Sequence, residues 1–309
     1  MYLKHIFVSK EALKQQFLMI NSTDFLNDSP KFNDLYRASL MDRFVKSDYT
    51  VRSFGIFSFK GLGSIFQTNN VVISSNLKCN LIVLFFRRKS AIVIINGMGR
   101  FRKNKIFRWL VINLIKARIG NVVIFIQNYG DFRYFKRFIK SGVFWCPGSG
   151  GVRREVRDSE RTVVISRPGK FELVAESISR FVCQTGCEVD IVGCENVFVQ
   201  NICSNDKIKG LGYLDQSEIF TSAKYIFQPS GYGEGIPHCV VDALCSNLSV
   251  IMERQQFIQF GLGKLGFLYV EGPQEYVSVL PQIEIDEISV SKINDQIFSK
   301  FQEEFLVET

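Results

Sequence analysis

The sequence predicts an α/β protein of two doubly wound domains facing a cleft. Three observations carry this. The 309 residues exceed one ordinary core and suit two. Short apolar runs alternate with helical stretches, the pattern of parallel strands covered by helices. The charge also changes sign midway: residues 1–145 hold 24 Lys and Arg against 7 Asp and Glu, and the remainder 14 against 23. The expected division is therefore 1–145, 146–290 and a closing amphipathic helix over 291–309.

In the first half, strands are expected at 17–20, 51–53, 71–74, 91–95 and 122–126, and helices at 32–47, 102–118 and 131–141. The run CPGSGG at 146–151 then breaks the pattern where the charge changes, which marks a hinge. Its glycines, Gly148 to Gly151, suit a flexible hinge or a phosphate cradle. In the second half, strands are expected at 162–165, 189–192, 207–209, 225–228 and 249–252. Helices are expected at 171–183, 217–223 and 237–245, with Ser217 as an N-cap ahead of Glu218.

Several classes fall away on composition. Hydrophobic residues make up 46%, enough for buried cores rather than disorder. No stretch reaches the roughly 18 uncharged apolar residues of a membrane span. The charges in MYLKHIFVSKEALK interrupt what a signal peptide needs, so a cytoplasmic protein with reduced thiols is expected. Cys183, Cys187 and Cys194 lack paired knuckles and a neighbouring His, so no metal is expected. The basic half calls for an anionic partner. Nucleic acid is not expected, because no zinc module, RNA-binding aromatic signature or basic zipper is present.

The run that carries chemistry is YIFQPSGYGEGIPHCVVDA, residues 225–243. A buried strand leads into a Gly-rich loop and then a helix opening at Pro237, where a missing N–H costs nothing. Free amides at such a terminus, those of Gly235 and Ile236 included, attract phosphate oxygens or developing negative charge. Glycines at 231, 233 and 235 admit a ligand close to the backbone. Glu234 and Asp242 stand eight residues apart and suit sugar or ribose hydroxyls. A helix cap plus an exposed Asp would explain them as well.

This run, with Lys209-Gly210-Leu211-Gly212 leading into it, resembles the E-x7-E region of family 4 glycosyltransferases, written E-x7-D here. Upstream, Asn96-Gly97-Met98-Gly99, then Gln127-Asn128-Tyr129-Gly130-Asp131, then Pro147-Gly148-Ser149-Gly150 resemble members that build capsule and O-antigen polysaccharides. The resemblance covers roughly residues 90–255. It implies the GT-B fold of two Rossmann-like domains and metal-independent sugar transfer of the hexosyltransferase type, with retention of configuration. No cofactor is implied. The donor is a nucleotide-sugar, UDP-linked in preference to GDP-linked.

The resemblance also implies roles. Asp242 holds the ribose, Glu234 contacts the donor sugar, and Gly233, Gly235, Ile236 and Pro237 surround the sugar or diphosphate. Arg167 and Lys170 would lie on the donor diphosphate and steady the leaving nucleotide, the role a metal plays elsewhere. Their spacing of three departs from the usual five. Many relatives carry a His where Asn96-Gly97 stands, so Asn96 and Gly97 take that place in the cleft. Asn128 and Asp131 suit an acceptor side, or equally a helix cap with an acidic first turn. His238 is a helix-start residue rather than a base.

Residues 100–118, RFRKNKIFRWLVINLIKAR, combine seven basic residues with interfacial aromatics. This suits a helix lying on an anionic membrane. Arg102, Lys103, Lys105, Arg108 and Trp109 are the expected membrane-facing set. Phe85-Phe86-Arg87-Arg88-Lys89 is a second greasy-basic element. The expected place is the inner face of the cytoplasmic membrane, with a polyprenyl-diphosphate-linked glycan as acceptor. A nucleotide-sugar epimerase of similar fold, and a degenerate sugar-nucleotide-binding subunit, are the alternatives.

Overall fold

The structure, a computed structural model, describes residues 22–27, 50–55, 57–66, 71–89, 91–146, 155–156, 159–221, 223–229, 235–273 and 275–281. The expected strand at 17–20, the helices at 32–47 and 291–309, and the glycines of the hinge lie outside the described residues. The chain divides into two compact units, one of Met1–Ser149 with Ile293–Thr309 and one of Gly150–Lys292. Among the described residues the architecture is mixed α/β, with one parallel and one mixed sheet.

In the first unit, strands β1 (Ser22–Asn27), β2 (Thr50–Gly55), β3 (Val71–Ser75), β4 (Ala91–Ile95), β5 (Val122–Ile126) and β6 (Val143–Trp145) form a sheet in the order β2-β1-β3-β4-β5-β6. Every pairing is parallel. All five residues of β4, and all five of β5, are buried. Such continuous apolar runs are what a sheet covered on both faces requires.

Helices α1 (Phe59–Phe66), α2 (Leu77–Phe86), α3 (Lys105–Arg118) and α4 (Tyr129–Phe138) connect the strands. One core joins Cys79 and Val83 of α2, Val111 and Ile115 of α3, and Phe135 of α4 to Ala91, Val93, Ile95, Ile124 and Ile126 of the sheet. The expected helix at 102–118 is broken at its start. Gly99–Lys103 forms a 3-10 turn, and Asn104 caps α3 by accepting from the Phe107 amide at 3.0 Å.

Arg87 departs from the rest of the greasy-basic element expected at 85–89. Its side chain is fully buried, and Nη1 donates to the carbonyls of Ser64 and Ile65 at 2.9 and 3.3 Å. A guanidinium at the end of α1 thus satisfies carbonyls that have no partner inside the helix.

In the second unit, strands β7 (Thr162–Ile165), β8 (Val189–Val192), β9 (Cys194–Glu195), β10 (Ile208–Gly212), β11 (Tyr225–Phe227), β12 (Ser249–Glu253), β13 (Tyr269–Glu271) and β14 (Tyr276–Val279) take the order β13-β14-β12-β11-β7-β8-β10-β9. The central five, from β12 to β10, are mutually parallel. Antiparallel strands β14 and β13 extend one edge, and β9 the other.

Helices α5 (Pro168–Thr185), α6 (Asn196–Ile202), α7 (Gln216–Thr221), α8 (His238–Cys245) and α9 (Arg254–Phe260) complete the unit. Helix α5 packs Phe171, Val174, Ile178 and Phe181 against Val164, Ile191 and Phe227. Phe181 stacks on Phe227 at 4.2 Å, with Tyr276 edge-on to both. Each such pair contributes about 1 kcal/mol beyond its buried area.

Two helix starts differ from expectation. Helix α7 begins at Gln216, which puts Ser217 inside its first turn rather than at the cap. Helix α8 begins at His238, and Pro237 is its N-cap, with extended backbone (φ −64°, ψ 145°). The physical reason is that the Pro237 carbonyl already accepts from Val240 and Val241, at 3.1 and 3.4 Å.

Candidate functional site

The order of the second sheet contains a topological switch point. From β7 the chain moves to β8 and β10 on one side, then returns to β11 and β12 on the other. β7 and β11 are therefore adjacent parallel strands whose successors diverge. The crevice outside the carboxyl ends of such a pair is where open α/β sheets bind ligands. Helix α5, which follows β7, joins the core cluster described above. The buried Val240, Val241, Ala243 and Leu244 of α8, which follows β11, lie outside that cluster.

The expected donor residues that fall within the described structure border this point. Arg167 is the N-cap of α5, with Pro168 at its first position and Lys170 in its first turn. The spacing of three therefore keeps both cations at one helix N-terminus. Arg167 is exposed and Lys170 half-buried. Gly235 and Ile236 are buried, and Asp242, one turn into α8, is 6% exposed. Gly233 and Glu234 lie outside the described residues.

Cys239 ties the two helix starts together. Its thiol is pushed up to about 12, first by desolvation and then by the Asp242 carboxylate, while the Lys170 charge pulls the other way. Lys170 of α5 and Asp242 of α8 thus act on one side chain. Desolvation and Asp242 likewise push Cys245 up to about 12. Both thiols are protonated at neutral pH and inert as nucleophiles.

Three features at this edge escape a sequence reading. Gly193, after β8, has φ +96°, and a Cβ there would stand 2.8 Å from the Ser166 carbonyl oxygen. Only glycine lets this turn pass the start of α5. The Ser166 carbonyl also accepts from the Cys194 thiol at 3.0 Å, and burial pushes that thiol up to about 11. Finally, the buried amides of Gln228 and Gln256 both donate to the Pro229 carbonyl at 3.3 Å, fixing the exit of β11. Gln256 comes from α9, a distant segment that carries no motif; its glutamine was the one available signal.

In the first unit, β4 ends at Asn96-Gly97-Met98. Asp131, 1% exposed, accepts from the Met98 amide at 2.9 Å and pairs with Arg102 Nε at 3.2 Å. Burial pushes its carboxyl above the ordinary 3.8, while the Met98 amide, Arg102 and Arg108 offset part of that rise. Gly130 leaves the room the Arg102 guanidinium occupies. Asn128 caps α4, its Oδ1 accepting from the Asp131 amide at 3.0 Å, and is 1% exposed. The helix cap with an acidic first turn is therefore what the structure contains at Asn128 and Asp131.

The side chains of the expected membrane-facing set divide into inward and outward ones. Arg102 is held by Asp131. Arg108 lies over the Tyr134 ring at 3.2 Å and donates to the Arg102 carbonyl at 3.1 Å. Buried acceptors draw both inward. Lys103, Lys105 and Trp109 are exposed, Trp109 by 65%, and Ile106 and Leu110 join Trp109 on the open side of α3. Among the described residues, no helix is long and apolar enough to cross a membrane. Among the same residues, no cluster of His, Cys, Asp or Glu is arranged to hold a metal ion.

No protein-family model matches the chain, and no curated protein matches it.

Proposed function

We propose that the protein is a retaining glycosyltransferase that moves a sugar from a nucleotide-sugar to a lipid-linked glycan in surface-polysaccharide assembly. In this reading its units are the two Rossmann-like halves of a GT-B enzyme. The observation that carries the proposal is topological: α5, with Arg167 and Lys170 at its start, follows β7, and α8, with Asp242 one turn in, follows β11, the two adjacent strands of the switch point. A nucleoside diphosphate needs cations for its pyrophosphate and an acceptor for its ribose hydroxyls. The strand ends of this unit supply both types of group.

The chemistry needs little more. The acceptor hydroxyl attacks the anomeric carbon from the side on which the nucleotide departs. The bond from that carbon to the phosphate oxygen breaks, and the departing phosphate takes the hydroxyl proton. Arg167 and Lys170, with the helix terminus behind them, stabilise the growing negative charge. Asp242 holds the ribose and Glu234 the donor sugar, with Gly233, Gly235 and Ile236 close to the diphosphate. Lys103, Lys105, Ile106, Trp109 and Leu110 form a basic-apolar face suited to an anionic membrane, where a polyprenyl-linked acceptor resides.

The test is transfer of radiolabelled sugar from UDP- and GDP-sugars to lipid-linked glycans. Glu234→Ala should abolish transfer with the circular dichroism unchanged. Undiminished transfer would remove Glu234 from the site. Donor conversion without any acceptor would replace the transferase by an epimerase.

A further inference from the structure

Helix α5 ends in a thiol pair remote from the cations at its start. Leu173, Glu176, Arg180 and Cys183 recur every three or four residues and form its exposed stripe. Cys187, four residues after Cys183, continues that stripe just past the helix end and is also exposed. The helix has 18 residues and is about 27 Å long, so the pair is no part of the switch point.

The other six cysteines are not open in this way. Cys79, Cys146, Cys194 and Cys203 are buried. The Cys194 thiol donates to the Ser166 carbonyl, and Cys203 lies between the Ser179 hydroxyl and the Ala175 carbonyl. Cys239 and Cys245 are partly covered, and desolvation pushes both thiols up to about 12. A reagent arriving from water therefore meets Cys183 and Cys187 first.

The turn after α5 folds the second thiol back toward the first. Gly186 has φ 71°, which stops the helix, while its amide still donates to the Val182 carbonyl at 2.8 Å. The Cys187 amide donates to Thr185 Oγ1 at 3.3 Å, and its thiol to the Thr185 carbonyl at 4.0 Å. Lys207 Nζ fixes the turn from outside by donating to the Gly186 carbonyl at 3.0 Å. Cys187 is thus held against the last turn of the helix, where Cys183 stands. Side chains four apart on a helix have Cβ atoms about 5–6 Å from each other. A disulfide brings them to about 4 Å.

We infer that Cys183 and Cys187 form a dithiol site that low-molecular-weight disulfides oxidise to an internal disulfide across the end of α5. One protein thiolate attacks a sulfur of the reagent. The reagent's S–S bond breaks, a mixed disulfide forms, and the other half leaves as a thiolate. The second protein thiolate then attacks the protein sulfur of that mixed disulfide. The internal S–S bond forms and the second half of the reagent leaves. Two protein thiols are oxidised, the reagent is reduced to two thiols, and those thiols take up the two protons. Cys187 lies outside the helix, between Gly186 and β8, so rotation of this turn supplies the closer approach. The inference does not depend on the transferase reading.

The test treats the native full-length chain with oxidised glutathione and reads intact mass and peptide maps. The wild type should lose two hydrogens, with the bond mapped to Cys183 and Cys187, and dithiothreitol should restore it. Cys183→Ser and Cys187→Ser should each stop at one glutathione adduct on the remaining thiol, because the resolving partner is gone. The double variant should take up no glutathione. Phenylarsine oxide, which is held stably by two neighbouring thiols, should label the wild type and neither single variant. Two separate glutathione adducts on the wild type would overturn the pair. So would oxidation of any other cysteine ahead of it, or no reaction at all.

Discussion

The two sheets end differently at their carboxyl edges. In the first unit a buried carboxylate, Asp131, holds Arg102 and the Met98 amide after β4, while Arg108 lies over the Tyr134 ring. In the second unit the edge is shaped by helix starts and a glycine, with Arg167 exposed at a helix cap. Basic residues alone therefore do not mark a binding surface. The arginines at 102 and 108 serve the fold, whereas the cations at 167 and 170 stand where the topology leaves a crevice.

Removing the inward pair should have the largest effect. Asp131→Ala strands Arg102 and the Met98 amide and should cost about 3 kcal/mol in urea unfolding. This is the low end for a buried pair, because Arg102 keeps a quarter of its side chain in water. Asp131→Asn should cost less, since its carbonyl still accepts from Met98. It also isolates the titration. With its folded pKa raised, Asp131 keeps a proton that the unfolded chain has lost. Its contribution to stability therefore declines as pH rises from 3.8 through the raised value. The wild type should lose stability relative to Asp131→Asn across that window. A difference that stays flat with pH, or changes the other way, would contradict the burial-dominated carboxyl.

The second edge is tested by Gly193→Ala. The positive φ and the Ser166 carbonyl at 2.8 Å together should cost about 2 kcal/mol in the same experiment. An unperturbed midpoint would show that the turn has room to relax. A smaller effect is expected at the membrane face. Replacing Lys103 and Lys105 by Gln should weaken sedimentation with anionic vesicles about thirtyfold at low salt, at roughly 1 kcal/mol for each charge near the surface. Arg102→Gln should act through stability instead. Equal losses of vesicle binding per charge at 102, 103 and 105 would erase the distinction between inward and outward cations.

How much of this was legible in the sequence follows from burial. The strands at 91–95, 122–126, 162–165 and 189–192 could be read to the residue, because each is a short apolar run between turn or polar residues. Helix α2 could not, because LKCNLIVLFF is apolar on all sides and shows no helical period. The edge strands β13 and β14 are short and carry mixed residues, so they gave little signal. For the site, the spacing of Arg167 and Lys170 looked anomalous until the helix start placed both in one turn. Asn128 and Arg102 had more than one plausible use, and only their distances to Asp131 decide between them.

The most direct measurement is calorimetric titration of UDP and GDP into the wild-type chain and Asp242→Ala. The expected result is binding of at least one nucleotide, weakened about tenfold or more by the substitution, with the circular dichroism unchanged. Absence of binding by both nucleotides, or binding indifferent to Asp242, would contradict a nucleotide site at the strand ends of the second unit.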